Sequence, residues 1–155
     1  MTPRTRLAQR LALGVPALLL AGAYLSQYGF GLYPCEMCWW QRYPHFVAIV
    51  FGLLSYFAPP RRVWIALAAV AVAVSGAIGV LHAGVEYGWW QGFTACTGPA
   101  ASGGDPLEAI MNAPLIRCDA PAWTLAGISL AGFNAIFSFA GALAVFWLLA
   151  KDRRA

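Results

Sequence analysis

The stretch Tyr33–Arg42, YPCEMCWWQR, contains a Cys-x-x-Cys pair and an arginine four residues after its second cysteine. It interrupts a chain that is otherwise apolar, and its position among the apolar runs decides the fold. Residues 11–35 on one side carry no charge, and neither do residues 43–60 on the other. Two more uncharged gaps, 63–85 and 120–150, complete the pattern. Crossing the hydrocarbon of a bilayer takes roughly 20 apolar residues, so each gap is long enough for one span. The runs lack the alternation of barrel strands, and a lone segment in lipid satisfies its backbone polar groups only as a helix. The expected fold is an all-α membrane protein, a four-transmembrane-helix bundle with spans at roughly 11–30, 41–58, 63–85 and 123–150.

Composition agrees. Of 155 residues, 61% are hydrophobic and 10% charged, and the mean hydropathy is +0.65; an ordinary soluble globule is excluded. Residues 1–155 read as one domain, with no linker, repeat or low-complexity run. The net charge of +4 could suggest nucleic acid, but the basic residues mark topology instead. Arg4, Arg6 and Arg10 precede the first span, Arg61 and Arg62 separate the second from the third, and Lys151, Arg153 and Arg154 follow the fourth. The positive-inside rule puts these three places, and both termini, in the cytoplasm. Loops at roughly 31–40 and 86–122 then face outward, which in a bacterial inner membrane means the periplasm. The N-terminal arginines, LALGVPALLL and the small triplet at 21–23 have the layout of a signal peptide, but apolar character continues to Phe30 and favours an uncleaved helix.

All four cysteines, Cys35, Cys38, Cys96 and Cys118, fall in the outer loops or at their borders. An even count in an oxidising compartment suits disulfides, and structural staples are the plain reading. Three features point to redox chemistry instead. A Cys-x-x-Cys ring is too small to restrain much chain entropy. Pro34 reads as the first residue of a helix whose first turns hold Cys35 and Cys38, where the dipole favours a thiolate. Arg42 is at i+4 from Cys38, on the same face, and its cation would stabilise that thiolate or a reduced anion beside it. Pro44 would remove one backbone hydrogen bond just beyond. A c-type haem would need histidine where Trp39 stands, and a four-cysteine zinc site lacks close spacing for Cys96 and Cys118.

In the second loop Gly98–Asp105 reads as flexible, and Pro106–Ile116 has the spacing of a short interfacial helix or an ordinary amphipathic loop. A bond between Cys96 and Cys118 would be exposed and suited to exchange. Electrons from such a protein need an acceptor. No nucleotide fingerprint is present, so a lipid-soluble quinone is the simplest candidate. Trp39, Trp40, Tyr43, Tyr87, Trp89, Trp90 and Trp123 lie near the outer face, where most would form an interfacial belt.

Through PCEMCWWQR, HAGVEYGWW, FTACTG and RCDAPAWTLAGISLAGFNAIFS, the chain resembles the disulfide bond formation protein B (DsbB) family. These are bacterial inner-membrane, quinone-dependent thiol oxidases that support disulfide bond formation and protein folding. The resemblance implies redox disulfides Cys35–Cys38 and Cys96–Cys118. It also implies a periplasmic thioredoxin-fold partner, a DsbA-like oxidase, that attacks the loop pair at Cys96. A transient Cys35–Cys118 link would follow, and Cys38 would face ubiquinone, or menaquinone, with Arg42 supporting negative charge on the ring. Neither metal nor nucleotide is implied.

His82, near the outer end of the third span, reads as a hydrogen-bonding neighbour of the quinone or as a polar helix end, and His45 as interfacial. A rival use of both, as axial ligands of a b-type haem in a membrane cytochrome, leaves the cysteines unexplained. A disulfide-braced membrane scaffold is a second rival, and vitamin K epoxide reductase-like proteins and the DsbI branch are nearer ones. Asn134 reads as an interhelical hydrogen-bonding residue, and Gly76, Gly79, Gly127 and Gly132 as sites of close helix packing. Glu36 would raise thiol pKa values and oppose Arg42.

Overall fold

The structure, a computed structural model, describes residues 1–94, 96 and 116–152. Most of the loop predicted as Gly98–Ile116 therefore lies outside the described residues.

Among the described residues four long helices dominate: α1 (Pro3–Phe30), α2 (Glu36–Phe57), α3 (Arg61–Glu86) and α4 (Leu130–Asp152), with a two-stranded hairpin, β1 (Thr124–Leu125) and β2 (Ile128–Ser129), ahead of α4. Helices α1, α3 and α4 are long and apolar enough to cross a membrane. α2 falls short of that criterion because its first turns hold Glu36, Gln41, Arg42 and His45. Its remaining length, which continues through Pro44 to Phe57, is apolar.

Each boundary has a local cause. Thr2 caps α1 by accepting from Thr5 N–H, and Gly31, at φ 70°, ends it in the left-handed region that glycine occupies without cost. α4 starts at Leu130 rather than at 123. The absence of charge at 123–129 hid a tight turn, in which Ala126 and Gly127 have φ 51° and 78° and pair Thr124 with Ser129 and Leu125 with Ile128. Gly127 is thus a turn glycine and not the helix-packing glycine its sequence suggested. Ser129 Oγ accepts from Gly132 N–H at 3.1 Å, capping α4. Tyr87 ties the hairpin to the end of α3, donating to Gly127 O and accepting from Ser129 N–H, both at 2.8 Å.

Small residues bring the helices together. Ala8, Ala12, Ala68 and Ala69 pack with Ile65 and Val145 in one cluster. A Cβ on Gly79 would lie 2.9 Å from Ala131 O, and one on Gly76 would lie 3.1 Å from Ser138 Cβ. Lipid tails are as apolar as leucine, so close backbone approach and interhelical hydrogen bonds replace the hydrophobic drive. At the end carrying both termini, Arg62 pairs with Asp152 at 2.5 Å; Asp152 also accepts from Thr5 Oγ at 2.6 Å and from Thr2 Oγ. Chemistry concentrates at the other end, where α2 begins.

Candidate functional site

α2 starts at Glu36 and is capped by Cys35 itself, with Pro34 one position before the cap rather than inside the helix. The cause is local: Cys35 Sγ accepts from Cys38 N–H at 3.3 Å, the bond a serine oxygen makes in an ordinary cap. A sulfur there lies on the positive end of the helix dipole. Cys35 and Cys38 are free, with Sγ atoms 2.9 Å apart, whereas Cys96 and Cys118 are joined in a disulfide. The two pairs meet: the Cys35, Cys96 and Cys118 sulfurs all lie within 4.8 Å of one another. Cys118 and Cys35 are buried, and Cys96 is half-buried.

His82, from α3, reaches Cys35 from the other side. Gln41 Nε2 lies 3.2 Å from Met37 O, which only accepts, and 2.9 Å from His82 Nδ1. Gln41 is therefore the donor to Nδ1, and a neutral His82 carries its proton on Nε2. That N–H lies 3.5 Å from Cys35 Sγ and 3.7 Å from Glu86 Oε1. The Cys35 thiol is held well below its ordinary 9.0, to about 5. The hydrogen bond with Cys38 is the largest cause; burial opposes it, and His82 adds to the lowering. Glu36 is exposed on the first turn and contributes no resolved part of that shift.

One turn further on, Arg42 is 5% exposed. Its Nη1 donates to Gln27 Oε1 at 2.7 Å and Nη2 to Ala23 O at 3.2 Å, both on α1. The guanidinium also lies 4.8 Å from the ring centroids of both Tyr24 and Trp39. Among the described residues no carboxylate pairs with it, so its charge is held by neutral groups and π faces.

Arg42 and Cys38 share the wall of a cavity of about 270 Å³ between α1, α2 and α4, together with Gln41, His45 and Asn134. Leu18, Leu19, Phe133 and Phe137 supply its apolar lining. Its volume is near the lower end of the roughly 300–1,000 Å³ typical of small-ligand sites. Apolar walls with a few polar groups suit a small, largely apolar ligand.

The family model for disulfide bond formation protein DsbB matches residues 5–148. The chain belongs to the DsbB family. A disulfide bond formation protein B from Verminephrobacter eiseniae is 33% identical, with 99% of this chain and 89% of that protein covered. The protein of the same name from an Azoarcus species is 30% identical, covering 86% of this chain and 84% of its own. One from Marinobacter nauticus is 29% identical, with 79% of each covered. No solved structure matches.

Family membership supports a membrane protein of disulfide bond formation, and the positions of the predicted residues can be compared with it. Cys35, Cys38, Cys96 and Cys118 come together, and Arg42 joins Cys38 at the cavity. His82 does not line that cavity; it faces Cys35 and Glu86. His45 is 3% exposed, with Nε2 2.9 Å from both Asn134 Oδ1 and Ser75 Oγ. The two imidazoles are joined through Gln41, whose Nε2 lies 2.9 Å from His82 Nδ1, and Asn134, whose Oδ1 lies 2.9 Å from His45 Nε2, and of the two only His45 lines the cavity.

Asn134 links helices as expected, with Nδ2 donating to Gln41 Oε1 at 2.8 Å. Sequence reasoning missed Gln27, Gln41, Ser75 and Glu86. It also missed the packing of Trp90 against Gly84, where a Cβ would lie 2.0 Å from the indole. Polarity inside an apolar run was the available signal for Gln27 and Ser75.

Proposed function

We propose that the chain is a membrane thiol:quinone oxidoreductase that reoxidises a periplasmic DsbA-like dithiol oxidase through its two cysteine pairs. The observation that carries this reading is the meeting of four sulfurs at one helix N-terminus, with Cys38 also on the wall of a cavity that holds an arginine with no carboxylate partner among the described residues. In this reading all four helices span the membrane, the termini are cytoplasmic and the cysteines periplasmic.

Cys96, the more exposed of the loop pair, takes the attack of the partner's thiolate, and Cys118 leaves. Cys118, buried against Cys35, attacks Cys35 of an oxidised Cys35–Cys38 pair, and Cys38 leaves as a thiolate on the cavity wall. Cys96 now holds the partner's mixed disulfide. The partner's second thiol releases it as a thiol, so the partner departs oxidised. Cys96 then attacks Cys118, reforms the loop disulfide and frees Cys35 as a thiolate. The Nε2–H of His82 and the amide N–H of Cys38 are placed to hold charge on that leaving sulfur.

Arg42 would hold a quinone ring against Cys38, with Gln41, His45 and Asn134 lining the same cavity, and the residues fit: the walls are apolar, and among the described residues no carboxylate competes for the cation. A bound quinone supplies the acceptor for two electrons and two protons, leaving as quinol. Arg42 keeps its charge when desolvated, so it would stabilise negative charge beside Cys38 throughout.

The test is reduction of a short-chain ubiquinone by the purified protein in detergent, with a reduced DsbA-type dithiol as donor. Turnover lost in both Cys38→Ser and Cys96→Ser supports the relay. Two disulfides that resist reduction, with no quinone consumed, would leave a braced scaffold.

A further inference from the structure

A residue of the cavity lining, His45, carries a buried acceptor that thiol exchange does not use. Backbone carbonyls only accept hydrogen bonds, so Ser75 O orients the Asn134 amide: Nδ2 lies 3.2 Å from Ser75 O and must be the donor. Asn134 Oδ1 is then the atom 2.9 Å from His45 Nε2, and an amide oxygen accepts only. The other neighbour of Nε2, Ser75 Oγ, directs its single hydrogen to Gln41 O at 2.8 Å. Both neighbours of Nε2 are acceptors, so Nε2 bears the ring proton. In a neutral imidazole Nδ1 is then a bare lone pair. His45 is 3% exposed and lines the cavity, and its Nδ1 has no hydrogen-bond partner among the described residues. A buried acceptor left without a donor calls for a ligand that brings one.

We propose that His45 Nδ1 accepts a hydrogen bond from a ring hydroxyl, so that the cavity binds the dihydroxy, hydroquinone form in preference to the diketo form. The inference rests on the proposed function and adds to it the redox form that the site prefers. A quinone ring offers only carbonyl acceptors and leaves Nδ1 unsatisfied, whereas a hydroquinone supplies an O–H. Arg42 does not discriminate in this way, because carbonyl and hydroxyl oxygens both accept from a guanidinium. The difference of one buried hydrogen bond corresponds to on the order of tenfold in affinity. Binding the reduced ring more tightly makes the bound ring easier to reduce.

The experiment uses the full chain in detergent micelles with Cys38→Ser, which blocks electron exchange with the ring. The chain has two histidines, so ¹⁵N-histidine spectra resolve His45 once a His82→Gln spectrum assigns the other. Before ligand, His45 is expected to show a protonated Nε2 and a bare Nδ1. Decyl-ubiquinol should move the Nδ1 resonance toward its hydrogen-bonded value, and decyl-ubiquinone should leave it in place. Equilibrium binding should show the quinol roughly tenfold tighter, with the preference abolished in His45→Phe. A proton on Nδ1 in the free protein, or equal affinity for both rings with Nδ1 unmoved, overturns the inference while leaving the quinone site intact. Failure of both rings to bind overturns the proposed function and the inference together.

Discussion

The first turns of α2 serve two environments that share one sulfur and are bridged by the Gln41 side chain. Toward α3, Cys35 sits among sulfurs, with His82 3.5 Å away and the disulfide pair beside it. Toward α1 and α4, Arg42 faces a largely apolar cavity with Gln41, His45 and Asn134. Cys38 belongs to both, 2.9 Å from Cys35 and on the cavity wall. The arginines at the two ends of the bundle sharpen the contrast. Arg62 is neutralised by Asp152 at 2.5 Å, whereas Arg42 is held by Gln27, a backbone carbonyl and two aromatic rings. The first arrangement fastens a helix end; the second keeps a positive field available for a ligand.

If Cys38 is the shared atom, its loss should separate the two environments completely. Cys38→Ser is expected to abolish quinone reduction, while Cys96 still forms a mixed disulfide with a reduced DsbA-type protein, trapped and seen on a non-reducing gel. Loss of the mixed disulfide as well would mean that the two sides do not divide at Cys38. Arg42→Leu tests the cavity side alone. Removing a preorganised charge of this kind costs on the order of 10²-fold in turnover, so quinone reduction should fall by about that factor in stopped-flow absorbance. Exchange at the loop disulfide should change by less than about threefold. Equal losses in both half-reactions would count against the division.

The comparison also explains what sequence could reveal. The sulfur side begins with a local motif: Cys35, Cys38 and Arg42 follow one another at helical spacing, so a linear reading places them on one element. The cavity side is assembled from Gln27, Gln41 and Asn134 on three helices, and their convergence is a tertiary fact that no single spacing encodes. His82 was legible as a polar residue near a helix end, but which side it faces depends on the rotation of α3, fixed by close contacts such as Gly79 on Ala131. The hairpin was hidden because Ala126–Gly127 lacks the asparagine or aspartate that usually announces such a turn. Most of the second loop lies outside the described residues.

A smaller effect separates the groups that hold the Cys35 charge. With the loop disulfide intact, alkylation of Cys35 should follow a titration centred near about 5. The depressed value means that thiolate persists as pH falls until that midpoint, and reactivity is lost below it. Cys38→Ala removes the largest cause, so its midpoint should move upward furthest; His82→Phe should move it upward less. Mass spectrometry of iodoacetamide-labelled protein across pH reads both. An unchanged midpoint in Cys38→Ala would show that the cap and dipole alone hold the charge.

The mildest test concerns packing on the sulfur side. A Cβ on Gly84 would meet the Trp90 ring at 2.0 Å, and that ring is anchored by Nε1 donating to Leu81 O at 2.9 Å. Gly84→Ala must push the indole outward and break this bond, because the backbone of α3 is held by its own ladder. Overpacking of this kind costs about 1–3 kcal/mol, read as a lower midpoint in thermal unfolding in detergent. Neither Gly84 nor Trp90 lines the cavity, so the affinity for a short-chain ubiquinone should be unchanged. A shift in that affinity would show that strain in α3 passes through His82 and Gln41 to the cavity wall, and that the two environments are mechanically coupled as well as sharing Cys38.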